Sequence, residues 1–123
     1  MHSTKRFSIY ARLRSIRHAL RGLAVALGSE HNLWIHTAAT VLVVLLSFLL
    51  HVSREELLVI VVVTGMVWSA ELFNSAVERI MDFVSPQHHE KVKMIKDVAA
   101  AGVLLAALTA LVTGLLIFLP KLW

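Results

Sequence analysis

The chain has 123 residues, of which 58% are hydrophobic and only 16% charged, with a formal net charge of +4. Soluble domains sit near half apolar and a quarter charged, so too little polar sequence remains here to cover a soluble core. There is no cysteine, which excludes disulfides and thiolate metal sites, and the length points to one domain, 1–123.

The first patterned segment is 8–28. Ile9, Leu13, Ile16, Leu20, Leu23 and Leu27 recur at spacings of four and three, which makes one stripe of an α-helix. Arg14, Arg17 and Arg21 fall on its flank or opposite face. A basic amphipathic helix beside a membrane span is expected to lie in the interface plane. A solvated helix packed on its neighbours would have the same pattern. Gly28 and Ser29 provide a break before the next segment.

Leu33–Leu50 follows, 18 residues without Asp, Glu, Lys or Arg. At helical rise it covers about 27 Å, enough to cross a hydrocarbon core. It begins too late and runs too long for a signal peptide. The second apolar run, Leu57–Ala70, has 14 residues and covers only about 21 Å. It spans if its helix continues past Glu71, so the expected span is 57–73, with the Glu71 carboxylate near the membrane edge. The third run, Val98–Leu119, has 22 residues and covers about 33 Å. Along it Gly102, Ala106, Ala110 and Gly114 stand at strict four-residue spacing, a surface that lets helix backbones approach closely in lipid. Periodicity does not say whether its partner is this chain or a neighbour. The fold class is therefore all-α and integral to the membrane: three transmembrane helices and an N-terminal interfacial helix.

Alternating topology puts ten of the twelve basic residues on one side. Lys5, Arg6, Arg12, Arg14, Arg17 and Arg21 precede the first span, and Arg79, Lys91, Lys93 and Lys96 lie between the second and third. Arg54 and Lys121 are on the other side. The positive-inside rule places the N-terminus in the cytoplasm and the C-terminus outside. Trp34 and Trp123 sit at run ends, as interfacial aromatics do.

Of eight acidic residues, Glu55 and Glu56 belong to the outer turn, and the other six lie on or near the cytoplasmic side. On a helix extended through Asp82, the residues Glu71, Asn74, Ser75, Glu78 and Asp82 fall within an arc of about 100°. Stacked carboxylates repel unless a metal ion or a Lys sits between them. Lys96 and Asp97 open the third span from the same side, and Glu30 stands at the mouth of the first. For Asp82 a plain solvated helix end accounts equally well for the charge. Glu71, directly after an apolar run, is costly without a role. Hard oxygen ligands suit Mg²⁺ shared with substrate phosphates, and phosphoryl transfer needs positioning, charge neutralisation and a base for the attacking hydroxyl. No glycine-rich phosphate loop is present. Two other classes remain in view: a small proton- or cation-handling membrane protein, for which intramembrane acids are also usual, and a non-catalytic helper subunit.

The run Ala70-Glu71-Leu72-Phe73-Asn74-Ser75-Ala76-Val77-Glu78-Arg79-Ile80-Met81-Asp82 resembles the E-x-x-N-[ST]-A-x-E-x-x-x-D signature of the prokaryotic diacylglycerol kinase and undecaprenol kinase family. Lys96-Asp97-Val98-Ala99-Ala100 is similar to the K-D-x-[AS]-[AS] segment that opens that family's third span. The resemblance covers nearly the whole chain. It implies a homotrimeric helical bundle in a bacterial cell membrane that phosphorylates a lipid hydroxyl with ATP and Mg²⁺, with active sites shared between subunits. It implies Glu71 as the base, Glu30 and Glu78 as metal ligands, Asn74 in their support, Lys96 on phosphate and Asp97 ordering the nucleotide site. The family's nucleotide-side loop reads Glu-Tyr-His; here it is Gln87-His88-His89, of which only His89 matches. His18 replaces a Tyr common in the N-terminal helix, and the basic residue near the nucleotide is Arg12 or Arg14. The lipid is expected against Glu71, Ser75, Arg14 and Trp34. Glu30-His31-Asn32-Leu33-Trp34-Ile35-His36 resembles the E-x-N-x-x-I-H pattern of the undecaprenol branch, whereas the diacylglycerol branch usually has Glu where this chain has His36. The resemblance therefore favours undecaprenol, with diacylglycerol as the alternative.

Overall fold

The computed structural model describes residues 6–123; Lys5, counted above among the basic residues, lies outside them. Four α-helices follow in order: α1 Ile9–Ser29, α2 His31–Leu49, α3 Arg54–Val84 and α4 Glu90–Phe118, closed by a 3₁₀ turn at Leu119–Lys121. No strand occurs among the described residues. The three long helices are apolar enough to cross a membrane.

Each boundary has a local cause. Ser8 caps α1 by accepting from the Ala11 N–H at 3.3 Å. The break before α2 falls at Glu30 rather than at Gly28-Ser29: Glu30 is extended (φ −106°, ψ 115°) while its N–H still donates to the Ala26 carbonyl at 2.8 Å. No loop separates α1 from α2, so the chain turns at one residue. After α2, His51 takes a left-handed conformation (φ 51°), and the Val52 N–H reaches back to the Ser47 carbonyl at 3.3 Å. This closes the helix as a C′ glycine would, at a cost of about 1–2 kcal/mol for a side chain-bearing residue. Ser53 and Glu56 then form a reciprocal capping box. Lys121 donates to Glu56 Oε1 at 3.0 Å, tying the end of the chain to the start of α3.

α3 has 31 residues, about 46 Å at helical rise, longer than a hydrocarbon core of about 30 Å. The helix does continue past Glu71, as the short second run requires if it is to span. Ser85-Pro86 ends it, and His89 caps α4 by accepting from the Lys91 N–H at 3.1 Å.

α3 and α4 form the most extensively packed pair. Ala106 is buried, and Gly102 and Ala106 line a shallow depression shared with Gly65, Ser69 and Ala70 of α3. Ala110 and Gly114 line a cleft shared with α2 and α3. Of the four small residues only Ala106 is buried in its own chain; Gly102 is exposed, and a Cβ there would meet nothing within 4 Å.

α1 is attached only at its C-terminal end. Ala26 is buried and Leu23 and Leu27 half-buried, whereas Ile9, Leu13, Ile16 and Leu20 are 57–69% exposed. Its apolar stripe is not spent on packing against α2–α4. It stays free, as a helix lying in a lipid interface requires. Leu33, fully buried, anchors the start of α2.

Candidate active site

The polar side chains at depth meet around the middle of α3. Glu71 is only 2% exposed, Ser75 3% and Asn74 8%. An ionised carboxylate in such a place is expensive unless it is paired. Its partner comes from α2: His36 Nε2 lies 3.3 Å from Glu71 Oε2. A second polar link stands beside it. Trp68 Nε1–H donates to Thr40 Oγ1 at 2.9 Å, and the Thr40 hydroxyl donates to the His36 carbonyl at 2.7 Å. α2 and α3 are therefore clamped at two polar points, one of them the carboxylate.

Asn74 Oδ1 and Ser75 Oγ are buried without a hydrogen-bond partner. Ser75 lacks the back-bond that most helical hydroxyls of this chain make. Ser29, Thr37, Thr40, Ser47 and Thr109 all donate to the carbonyl four residues earlier, the standard outlet for a helical hydroxyl. Buried polar atoms are nearly always partnered, so these two groups next to a buried carboxylate are candidates for ligand contact.

One turn further along, the acidic row divides. Asp82 accepts from Lys96 Nζ at 2.6 Å, and the charge of Glu78 also acts on Lys96. The 100° arc holds as helix geometry, yet α3 lies between two neighbours: Glu71 turns to α2, while Asp82 pairs with α4. Lys96 is near this acidic face, as its place at the start of the third span suggested. Asp97 is not: it is exposed and pairs with Lys93 at 2.7 Å.

Glu30 is held by Arg79, whose Nη2 donates to Ser29 Oγ at 2.6 Å and approaches Glu30 Oε1 at 3.5 Å. Among the described residues no group of three or more His, Cys, Asp or Glu side chains is arranged to hold a metal ion. Mg²⁺ commonly takes one or two carboxylates and completes its shell with substrate phosphates and water. Glu30, Glu78 and the unpartnered Asn74 Oδ1 are donors of that hard-oxygen kind, so the residue types fit, provided phosphate supplies the rest.

The remaining expected contacts lie apart from this centre. His89 Nδ1 is used in capping α4. Ser85 Oγ donates to the Gln87 carbonyl at 3.2 Å, and Gln87 and His88 are exposed. His18 and Arg12 are exposed on α1, Arg14 stacks over Tyr10 at 4.9 Å, and Trp34 is exposed at the start of α2. Two residues with no assigned role in the sequence reading, His36 and Arg79, prove to be the direct partners of Glu71 and Glu30. The only signal for His36 was its departure from Glu in the branch comparison. For Arg79 it was adjacency to Glu78.

Three apolar spans, with a buried carboxylate on the second, define a small integral membrane protein with a candidate site on α3. Residues 17–118 match the family described as prokaryotic diacylglycerol kinase. The chain is 38% identical over 109 residues to the undecaprenol kinase of Bacillus subtilis (strain 168), covering 89% of each. It is 37% identical over 111 residues to a diacylglycerol kinase of Synechocystis, covering 89% of this chain and 63% of that protein. It is 26% identical over 101 residues to the diacylglycerol kinase of Escherichia coli (strain K12), covering 82% and 83%. The chain belongs to the prokaryotic diacylglycerol kinase family and is a membrane lipid kinase. The non-enzymatic classes fall away with that membership.

Proposed function

We propose that this kinase transfers the γ-phosphoryl group of ATP to the hydroxyl of undecaprenol, with Glu71 as the general base. The observation that carries the proposal is a nearly dry carboxylate on a membrane helix. One of its oxygens is set by His36, and two unpartnered polar groups stand beside it.

In this reading the lipid hydroxyl approaches Glu71 from the bilayer. Glu71 takes its proton as the alcohol oxygen bonds to the γ-phosphorus and the bond from that phosphorus to the bridging oxygen breaks, releasing ADP. Ser75 and Asn74 supply hydrogen bonds to the reacting groups. Lys96 binds phosphate after exchanging its Asp82 contact for the nucleotide, and His89, Gln87, His88, His18 and Asp97 border the nucleotide side. Glu30 and Glu78 would hold Mg²⁺, which when bound would neutralise charge on the phosphates. Arg14 and Trp34 border the lipid. A neighbouring copy completes the site in a homotrimer, a reading supported by the incomplete metal shell and the unpartnered atoms of the single chain.

Undecaprenol is preferred because the relative of that name matches over 89% of its length as well as of this chain. The diacylglycerol reading is kept alive by the Synechocystis relative at nearly the same identity. The deciding assay offers undecaprenol and a diacylglycerol to the purified protein in mixed micelles with labelled ATP. The expected outcome is a kcat/KM for undecaprenol higher by about tenfold or more, about 1.4 kcal/mol of discrimination. Preferential labelling of diacylglycerol overturns the assignment.

We also place the N-terminus and the α3–α4 loop in the cytoplasm. Because the native chain has no cysteine, single-cysteine variants Gln87→Cys and Leu122→Cys report sidedness with a membrane-impermeant thiol reagent on intact cells. Leu122→Cys is expected to label and Gln87→Cys to stay protected; the reverse pattern inverts the topology.

A further inference from the structure

Among the described residues His36 is the one side chain that hydrogen-bonds the Glu71 carboxylate, and it does so across 35 residues of sequence. A base acts in its ionised form, and an ionised carboxylate only accepts, so in the reactive pair the imidazole donates from Nε2 to Oε2. Oε1 then has no hydrogen-bond partner among the described residues. One oxygen is fixed and the other is free, which is the arrangement a base needs if its free lone pair is to point at an incoming hydroxyl.

The other α2–α3 link engages only the backbone at this position: the His36 carbonyl accepts from Thr40 at 2.7 Å, and Thr40 accepts from Trp68 at 2.9 Å, leaving the ring with Glu71 alone. The His36 side chain is 17% exposed and that of Glu71 3%, so the histidine is the more open member of the pair. Its open edge faces a cleft of about 480 Å³ between α2, α3 and α4, lined almost wholly by apolar side chains down to Phe118. Among that lining only His36, Thr40, Thr64 and Trp68 carry polar groups. His36 thus stands where the apolar cleft ends and the carboxylate begins.

We infer that His36 is a positioning residue for the phosphoryl-transfer reaction: it fixes one oxygen of the Glu71 carboxylate and leaves the other free to take the proton of the lipid hydroxyl. This rests on the assignment of Glu71 as the base. A misplacement of about 1 Å in such a pair is enough to cost about 10²-fold in rate. The single contact, at 3.3 Å, is all that holds the carboxylate within the described chain.

The test compares His36→Phe, which keeps a ring but no donor, with His36→Gln, which keeps an N–H within reach of Glu71. Expected for His36→Phe is a fall in kcat of about 10²-fold, with KM for ATP unchanged. His36→Gln recovers most of that loss. In a Glu71→Gln background, His36→Phe is expected to cost nothing further, because residues that act as a unit are not additive. Trp68→Phe breaks the other α2–α3 link without touching Glu71. It is expected to lower thermal stability while leaving kcat near that of the native protein, separating positioning from simple clamping.

Native kcat in His36→Phe, equal damage in His36→Gln and His36→Phe, or an equal loss of kcat in Trp68→Phe each overturns the inference. If His36→Phe does not fold, His36→Gln and the double variant with Glu71→Gln carry the test. The two levels fail differently. A fully active Glu71→Gln removes both the base assignment and this inference, whereas an inactive Glu71→Gln beside a fully active His36→Phe removes the inference alone.

Discussion

Glu71→Gln is expected to lower lipid phosphorylation by about 10²–10⁴-fold, the range that a general base contributes, while ATP binding and the mass of the particle in detergent stay unchanged. Glutamine matches the carboxylate in size and can still accept from His36, so the packing around α2 and α3 has no reason to move. What it lacks is the ability to take a proton. The buried position adds a second expectation. Removing a charge that is only 2% exposed and held by one long hydrogen bond relieves desolvation, so the variant is expected to be at least as stable as the native protein. Turnover with labelled ATP, a nucleotide titration, a thermal melt and light scattering, which is expected to give three chains per particle, read these separately. Turnover close to native would overturn the assignment of Glu71 as the base. Lost activity together with lost ATP binding would show a collapsed site instead.

Glu78→Gln is expected to raise the Mg²⁺ concentration needed for half-maximal activity by about 10–100-fold, as loss of a group supporting a metal does. The charge of Glu78 acts on Lys96, so a competing role exists: it could serve only to hold that ammonium. The two roles separate in the assay. Loss of a metal ligand is overcome by excess Mg²⁺ at saturating ATP, whereas a misplaced Lys96 raises KM for ATP at any Mg²⁺ concentration. An unchanged Mg²⁺ dependence removes Glu78 from the metal. Glu30→Gln should follow the same direction, but with Arg79 released as well, because Arg79 Nη2 contacts both Ser29 and Glu30.

Much of this architecture was legible in one dimension because its causes are local. Uninterrupted apolar runs 18 and 22 residues long have no polar alternative to a membrane helix, and the 14-residue run forced the inference that α3 continues past Glu71, which it does to Val84. The arc of Glu71, Asn74, Ser75, Glu78 and Asp82 followed from helical periodicity alone. Even so, the reading treated that arc as one surface. In the fold it is shared between two neighbours, with Glu71 on α2 and Asp82 on α4, because an angular position on a helix says nothing about which helix stands opposite. Asp97 was grouped with Lys96 by adjacency. One residue on a helix is about 100° of rotation, enough to send it to solvent and to Lys93.

The amino-acid sequence by itself determined the membrane class, the number of spans, the apolar stripe along α1 and the residue types available for phosphoryl chemistry. All of these depend on composition and on spacings within a single helix. Tertiary structure alone decided the partners: His36 for Glu71 across 35 residues, Arg79 for Ser29 across 50, and the burial of Ala106 alone among the small residues of α4's stripe. Such pairings depend on the rotation and depth of whole helices against one another. Many side chains set those quantities together, and no local spacing encodes them.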